Sequence, residues 1–279
     1  MRLATVFDGD WLRAVYVRDG RFLPMDPSGP GSLRSIAGST WGVERARPWV
    51  DAQPPAAWRP LEGVRFGPSV RDPRAIYAIG RNYRAAGEPD DGRLQRPLVY
   101  GKLPASVAGH GATLDWDRTL TTNVDAEVEL GVVIGKPATA VNPEEALDHV
   151  FGYTIVNDVS SRDPWLDGDQ WLLGKSMNGF CPVGPWIVTA DELDTGSLRL
   201  GCTINGTAIQ DGTTAALRFG VAEIVAFLSR HVTLLPGDLI ATGTPARLAT
   251  PPGPERHLQP GDVVTAWIEG IGELTTTVA

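Results

Sequence analysis

Apolar residues along the chain come in short runs separated by frequent turn residues, the pattern of a sheet-rich protein. Residues 2–7 and 12–17 (RLATVF and LRAVYV) flank Asp8-Gly9, a strong hairpin signal. From about 28 to 72 the pattern degrades into irregular sequence containing Pro and Trp, so 1–72 is read as a small N-terminal domain plus linker. A second unit, 73–279, begins with the apolar strand of AIYAIGRNY (75–83). The polar stretch 84–97, broken by Gly and Pro, is expected to be a mobile lid. Strand-like runs follow at 98–107, 124–135, 149–160 and 198–210. In the last, Leu198, Leu200, Cys202 and Ile204 alternate inward before a turn at Asn205-Gly206. One segment has helical spacing, with Val221, Ile224, Val225 and Leu228 at i, i+3, i+4 and i+7. Pro236-Gly237-Asp238 and Pro260-Gly261-Asp262 each launch an apolar strand. The expected class is α+β, dominated by a mixed or antiparallel sheet.

Composition narrows the partners. With 25 Lys+Arg against 33 Asp+Glu the net charge is −8, which argues against binding a phosphate backbone or an anionic membrane. A 42% hydrophobic and 21% charged chain is globular, and it has no run near the ~20 apolar residues that span a bilayer. Asp8 and Asp10 interrupt the start too early for a secretory signal. The two cysteines, Cys181 and Cys202, are too few for a disulfide framework or a Cys-based zinc site, and they fit a reducing cytoplasm.

The chemistry concentrates in VDAEVELGVV. On a strand, Asp125, Glu127 and Glu129 share one face, and three carboxylates there repel each other unless a cation intervenes. The alternative is an edge strand with an acidic, solvated face. Asp158 ends the apolar run YTIVN, a position suited to a functional carboxylate or to a turn cap. Two Glu and one Asp form an oxygen-only donor set that suits Mg²⁺, Mn²⁺ or Ca²⁺ rather than zinc. Lys175, among apolar and small residues, could hold a substrate carboxylate, stabilise an enolate, or pair with a neighbouring acid.

Taken in order, IGRNY, VDAEVELGVVIGK, GYTIVNDVSSRD, GKSMNGFCPVGPW, INGT…QDG, LLPGDLIATGTP and LQPGDVVTAWIEGIGEL resemble the fumarylacetoacetate hydrolase superfamily over about 73–279. The resemblance implies a mixed β-sandwich roll, a homodimer, and a divalent cation, Mg²⁺ with Mn²⁺ or Ca²⁺ as alternatives. It assigns Glu127, Glu129 and Asp158 as metal ligands, and Lys175 as the catalytic lysine. Arg81, Arg162, Trp165 and Thr244 are the expected substrate-binding residues. The implied substrates are small 2-oxo or β-dicarbonyl acids. The sequence departs from the family where a His, followed three residues later by a Glu, would activate water. Ala86 and Pro89 stand at those places, and Glu88 is one residue short. Trp165 stands where some relatives carry a polar contact, which points to a more apolar or aromatic substrate.

Among the histidines, His149, His231 and His257 read as structural, and His110, on a Gly-flanked loop, is the substitute base the sequence offers. The expected function is therefore a metal-dependent, enolate-forming decarboxylase, retro-aldol lyase or isomerase. One alternative is a C–C hydrolase using Glu88 or His110. The other is a metal- and ligand-binding protein without catalysis.

Overall fold

The computed structural model describes residues 1–25, 32–38, 43–84, 94–249 and 256–279. The first hairpin pairs Arg2–Asp8 with Trp11–Arg18 and closes at Asp8 opposite Trp11. Its central turn residues are thus Gly9-Asp10, one position beyond the predicted pair, with Gly9 at φ +62°. The free edge of Arg2–Asp8 pairs antiparallel with Cys181–Thr189, so the N-terminal strands extend a large mixed sheet. That sheet continues through Val150–Asn157, Val128–Ile134, Leu239–Ala241, Ile76–Gly80 and Leu98–Lys102.

A second sheet runs Thr207–Thr213, Arg199–Ile204, Val263–Ile268, Gly272–Val278 and Thr113–Leu114. Asn205 and Gly206 both take left-handed backbone (φ +51° and +78°), the requirement of a two-residue hairpin turn. The alternation places Leu198, Leu200, Cys202 and Ile204 in the core, as expected. The two Pro-Gly-Asp turns share one device. Asp238 Oδ2 accepts from Leu235 N–H, Asp262 Oδ2 accepts from Gln259 N–H, and a left-handed glycine precedes each aspartate. Val221–Ser229 forms the predicted helix, with Val221, Ile224, Val225 and Leu228 buried.

The core explains the central strand. Leu130, Val132 and Ile134 pack with Leu200, Cys202 and Ala266 of the second sheet. Val133 faces the opposite way, with Val156, Leu239 and Leu3. Covered on both faces, Val128–Ile134 is almost uniformly apolar, as buried strands are. An ionisable residue inside it, Glu129, therefore carries a large desolvation cost.

The continuous strand expected over 124–135 is not formed. Val124–Asp125 pairs with Ser160–Ser161, the chain leaves strand geometry at Ala126-Glu127, and the main-sheet strand starts at Val128. Asn157 Oδ1 takes the Glu127 N–H at 3.0 Å, which stabilises this break. The lid expectation, with Ala86, Glu88 and Pro89, falls largely outside the described residues. Among the described residues no helix is long and apolar enough to cross a membrane.

Candidate metal centre

Antiparallel pairing sets the start of Val128–Ile134 against the end of Val150–Asn157, with Val128 opposite Asn157 and Glu129 opposite Val156. The residues flanking that register meet, and Asp158 N–H donates to Glu127 O at 2.8 Å. One carboxylate oxygen each from Glu127, Glu129 and Asp158 lies within 4.8 Å of the others. Glu129 and Asp158 are buried, and Glu127 is partly open.

Two contacts hold the backbone of Val128, the residue between the glutamates. Gln210 Oε1 accepts its N–H at 2.9 Å, and Thr244 Oγ1 donates to its carbonyl at 2.8 Å. Gln210 Nε2 in turn donates to Thr244 Oγ1 at 2.7 Å. Gly243 N–H reaches Glu129 Oε2 at 2.8 Å. A Cβ on Gly243 would stand 2.8 Å from Asn82 Cβ, and its φ is +100°, so this close approach requires glycine. Asn82 of the IGRNY motif anchors the same turn by donating to Thr242 O and Phe219 O.

Cations surround the acids. Lys175 Nζ donates to Asp158 Oδ2 at 2.7 Å, Glu127 Oε2 at 3.0 Å and Ser160 Oγ at 2.6 Å. Lys102, wholly enclosed, pairs with Asp158 Oδ1 and donates to Val159 O at 3.1 Å. Tyr100 donates its hydroxyl proton to Asp158 Oδ2 at 2.7 Å. Arg162 pairs with Glu127 and, through Nε, with Asp125 Oδ2 at 3.2 Å.

These neighbours separate the three acids. Burial, then the Asp158 and Glu127 charges, push the Glu129 carboxyl well above its ordinary range. Burial would also raise Asp158, but the Lys102 and Lys175 ammoniums outweigh it and hold Asp158 below the usual carboxylate range. For Lys175, burial lowers the pKa, but the Asp158 and Glu127 charges outweigh it and raise it, so the ammonium stays charged. Among the described residues Glu129 forms no ion pair of its own, and the Lys175 charge and the Gly243 N–H offset its burial only in part. An oxygen-only trio with one incompletely compensated buried carboxyl fits a hard divalent cation.

The structure brings Glu127, Glu129, Asp158, Lys175 and Arg162 together and places Thr244 beneath them. Arg81 is exposed, with a left-handed φ of +55°, and makes no polar contact with the cluster among the described residues. Trp165 is 61% exposed on the short helix Pro164–Gly168. Asp125 does not join the cluster. It accepts from Arg162, from Arg247 NH1 at 3.0 Å and from His257 Nδ1 at 2.9 Å.

His110 does not stand beside the carboxylates either. Its ring meets Phe66 edge-on at 5.2 Å, and Nδ1 accepts from Thr275 N–H, in a pocket lined by Leu61, Phe66 and Trp186. Sequence reasoning missed Tyr100, Lys102, Gln210, Arg247 and the pairing of His257. The available signal was the alternation in LVYGK, which puts Tyr100 and Lys102 on one strand face.

The fumarylacetoacetate (FAA) hydrolase C-terminal family model matches residues 75–279. A fumarylacetoacetate hydrolase structure from Exiguobacterium antarcticum is similar at 34% identity and TM-score 0.88, covering 100% of this chain and 99% of that one. A 2-hydroxyhepta-2,4-diene-1,7-dioate isomerase from Mycobacterium marinum is similar at 30% identity and TM-score 0.78, covering 100% and 98%. A maleylpyruvate hydrolase from Sphingobium sp. SYK-6, in complex with manganese(II) and pyruvate, is similar at 28% identity and TM-score 0.83, covering 100% and 99%.

Proposed function

The chain belongs to the fumarylacetoacetate hydrolase family, and from that premise we propose that it is a divalent-metal-dependent enzyme that forms an enolate from a small 2-oxo or β-dicarbonyl acid. The reaction classes are decarboxylation, retro-aldol C–C cleavage and isomerisation. One observation carries the reading: a buried ammonium, Lys175, held charged in contact with both Glu127 and Asp158.

Glu127, Glu129 and Asp158 would hold the cation, Mg²⁺ or Mn²⁺ by donor type, with Ca²⁺ as an alternative. When bound, such a cation supplies Lewis acidity, polarising a carbonyl oxygen. Lys175 places fixed positive charge where an enolate oxygen develops, and its burial from water strengthens the effect. Lys102 and Tyr100 fix the Asp158 carboxylate in one orientation, and Arg162 does the same for Glu127. With Ala86 where the family has its water-activating His, cleavage by departure of CO₂ or an aldol fragment asks less of this chain than hydrolysis does.

Turnover of oxaloacetate and of acylpyruvates in ¹⁸O-labelled water tests this reading. The expected result is decarboxylation or retro-aldol cleavage faster than acylpyruvate hydrolysis, with no solvent oxygen in a product carboxylate. Solvent oxygen entering a product carboxylate at every turnover overturns it in favour of C–C hydrolysis. The hydrolase names of two structural relatives favour that second reading.

A further inference from the structure

Two motifs of the sequence, Gln210-Asp211-Gly212 and Gly243-Thr244-Pro245, meet at Val128, the residue between the two glutamates. Gln210 lies on Thr207–Thr213 of the second sheet, where strand alternation should bury every other side chain. Instead Ile209 and Gln210 are buried in succession. The register explains this, because Cys202 pairs with Gln210 and Thr203 with Ala208, which leaves Ile209 as the extra residue of a bulge. A bulge re-aims a side chain, and here it turns the Gln210 amide toward the main sheet.

The chain after the Gly-Thr-Pro turn docks on the same strand. Arg247 forms a bridge with Gln210, and Leu248 N–H donates to Ile209 O at 2.8 Å. A Cβ on Gly212 would stand 2.8 Å from Pro245 Cβ, so glycine at that place lets the turn approach. The Gln210 amide is then fully used. Oε1 accepts from Val128 N–H at 2.9 Å, and Nε2 donates to Thr244 Oγ1 at 2.7 Å and Pro245 O at 2.8 Å. Thr244 Oγ1 passes its own proton to Val128 O at 2.8 Å.

Both backbone polar groups of Val128 are therefore held by one connected set. Two separate partners would satisfy those groups equally well. The Gln210–Thr244 hydrogen bond joins them, so that neither shifts alone. Rotation about either Val128 backbone dihedral would move the Glu127 and Glu129 carboxylates relative to each other. The chain has just left strand geometry at Ala126-Glu127, so pairing within the main sheet does not hold it on that side.

We propose that Gln210, acting with Thr244, is a positioning residue that fixes the spacing of Glu127 and Glu129 for a divalent cation; the proposal rests on the metal-dependent reading above. The second sheet thereby shapes a centre whose candidate ligands sit on the main sheet and at its strand ends.

The test is calorimetric titration of the full chain with Mn²⁺, read beside the melting temperature of metal-free protein and the electron paramagnetic resonance spectrum of bound Mn²⁺. Gln210→Met keeps the side-chain length and removes its strong hydrogen-bonding groups. It should weaken Mn²⁺ binding by about 10–100-fold, the range for losing a group that orients a ligand, and change the spectrum of the ion still bound. Thr244→Val should weaken binding in the same range, and Thr244→Ser, which keeps the hydroxyl, should restore it. The double variant should lose less than the two single losses combined, because both break one connected set. Ile268→Val, a core defect in the same sheet, should lower the melting temperature but leave affinity and spectrum unchanged. Wild-type Mn²⁺ affinity and spectrum in Gln210→Met or Thr244→Val overturn the positioning role and leave the metal reading standing. An affinity loss in Ile268→Val equal to that in Gln210→Met also overturns it, since any loosening of the second sheet would then suffice. A wild type that binds no Mn²⁺ overturns the metal reading, and the positioning role with it.

Discussion

Lys102 and Asp158 form an ion pair in which both side chains are wholly excluded from solvent. Such a pair is costly to desolvate, and removing one partner strands the other charge. Tyr100 and Lys175 also donate to Asp158, so the carboxylate is held from three sides. Lys102→Met leaves Asp158 with Lys175 and Tyr100, so it is expected to lower unfolding free energy in metal-free protein by less than the ~3–5 kcal/mol of a fully stranded buried charge. Mg²⁺ or Mn²⁺ should recover part of that loss by supplying the missing positive charge. Urea melts with and without the cation check it, and a variant as stable as wild type without metal would contradict it.

Chelation is expected to lower thermal stability along with activity, because the Glu127, Glu129 and Asp158 carboxylates then face each other without a bound ion. Glu127→Gln combined with Glu129→Gln should ignore added Mn²⁺ and be inactive, and should melt below metal-loaded wild type because Arg162 and Lys175 lose the Glu127 charge. Calorimetric titration with Mn²⁺ and melting curves decide it. Full turnover by metal-free protein counts against the whole scheme.

Lys175→Ala should reduce kcat by roughly 10²–10³-fold, the scale of one lost electrostatic stabiliser. The stabilisation belongs to charge that develops during reaction, so kcat should fall more than KM rises. Steady-state kinetics on the best substrate found give the split.

Gly243→Ala would drive a Cβ to 2.8 Å from Asn82 Cβ and 3.0 Å from Ile79 O at a φ of +100°. Backbone movement must follow, withdrawing the N–H that Glu129 accepts. The expected cost exceeds about 1 kcal/mol of stability and comes with weaker Mn²⁺ binding. Wild-type affinity in this variant would show that the turn does not position Glu129.

Burial lowers the His110 pKa, with Glu273 opposing only in part. The folded protein therefore keeps this imidazole neutral after the unfolded chain has begun to bind a proton. The unfolded state then holds more protons, so stability should fall as pH drops through about 6.5 toward the lower folded value. Above that window the contribution is constant. His110→Gln should flatten this part of the curve, measured by denaturant melts between pH 7.5 and 5.

Much of the fold was legible because its signals are local. The alternation of Leu198, Leu200, Cys202 and Ile204 and the helical spacing of Val221, Ile224, Val225 and Leu228 need only a period and a buried face. The matching Pro-Gly-Asp turns carry their own left-handed glycine and side-chain acceptor. The three carboxylates and Lys175 were found through short ordered motifs. Strand alternation misled at Asp125, because a break at Ala126-Glu127 sends its side chain to Arg162, Arg247 and His257 instead.

The sequence by itself determined the periodicity of the elements, the turn chemistry and the acidic donor set. Tertiary structure decided which charges meet. Lys102 reaches Asp158 across 56 positions, Arg247 reaches Asp125 across 122, and His257 reaches it across 132. No local pattern encodes such pairings. Strand register brings those segments together, and once water is excluded the cost of an unpaired buried charge enforces the partners.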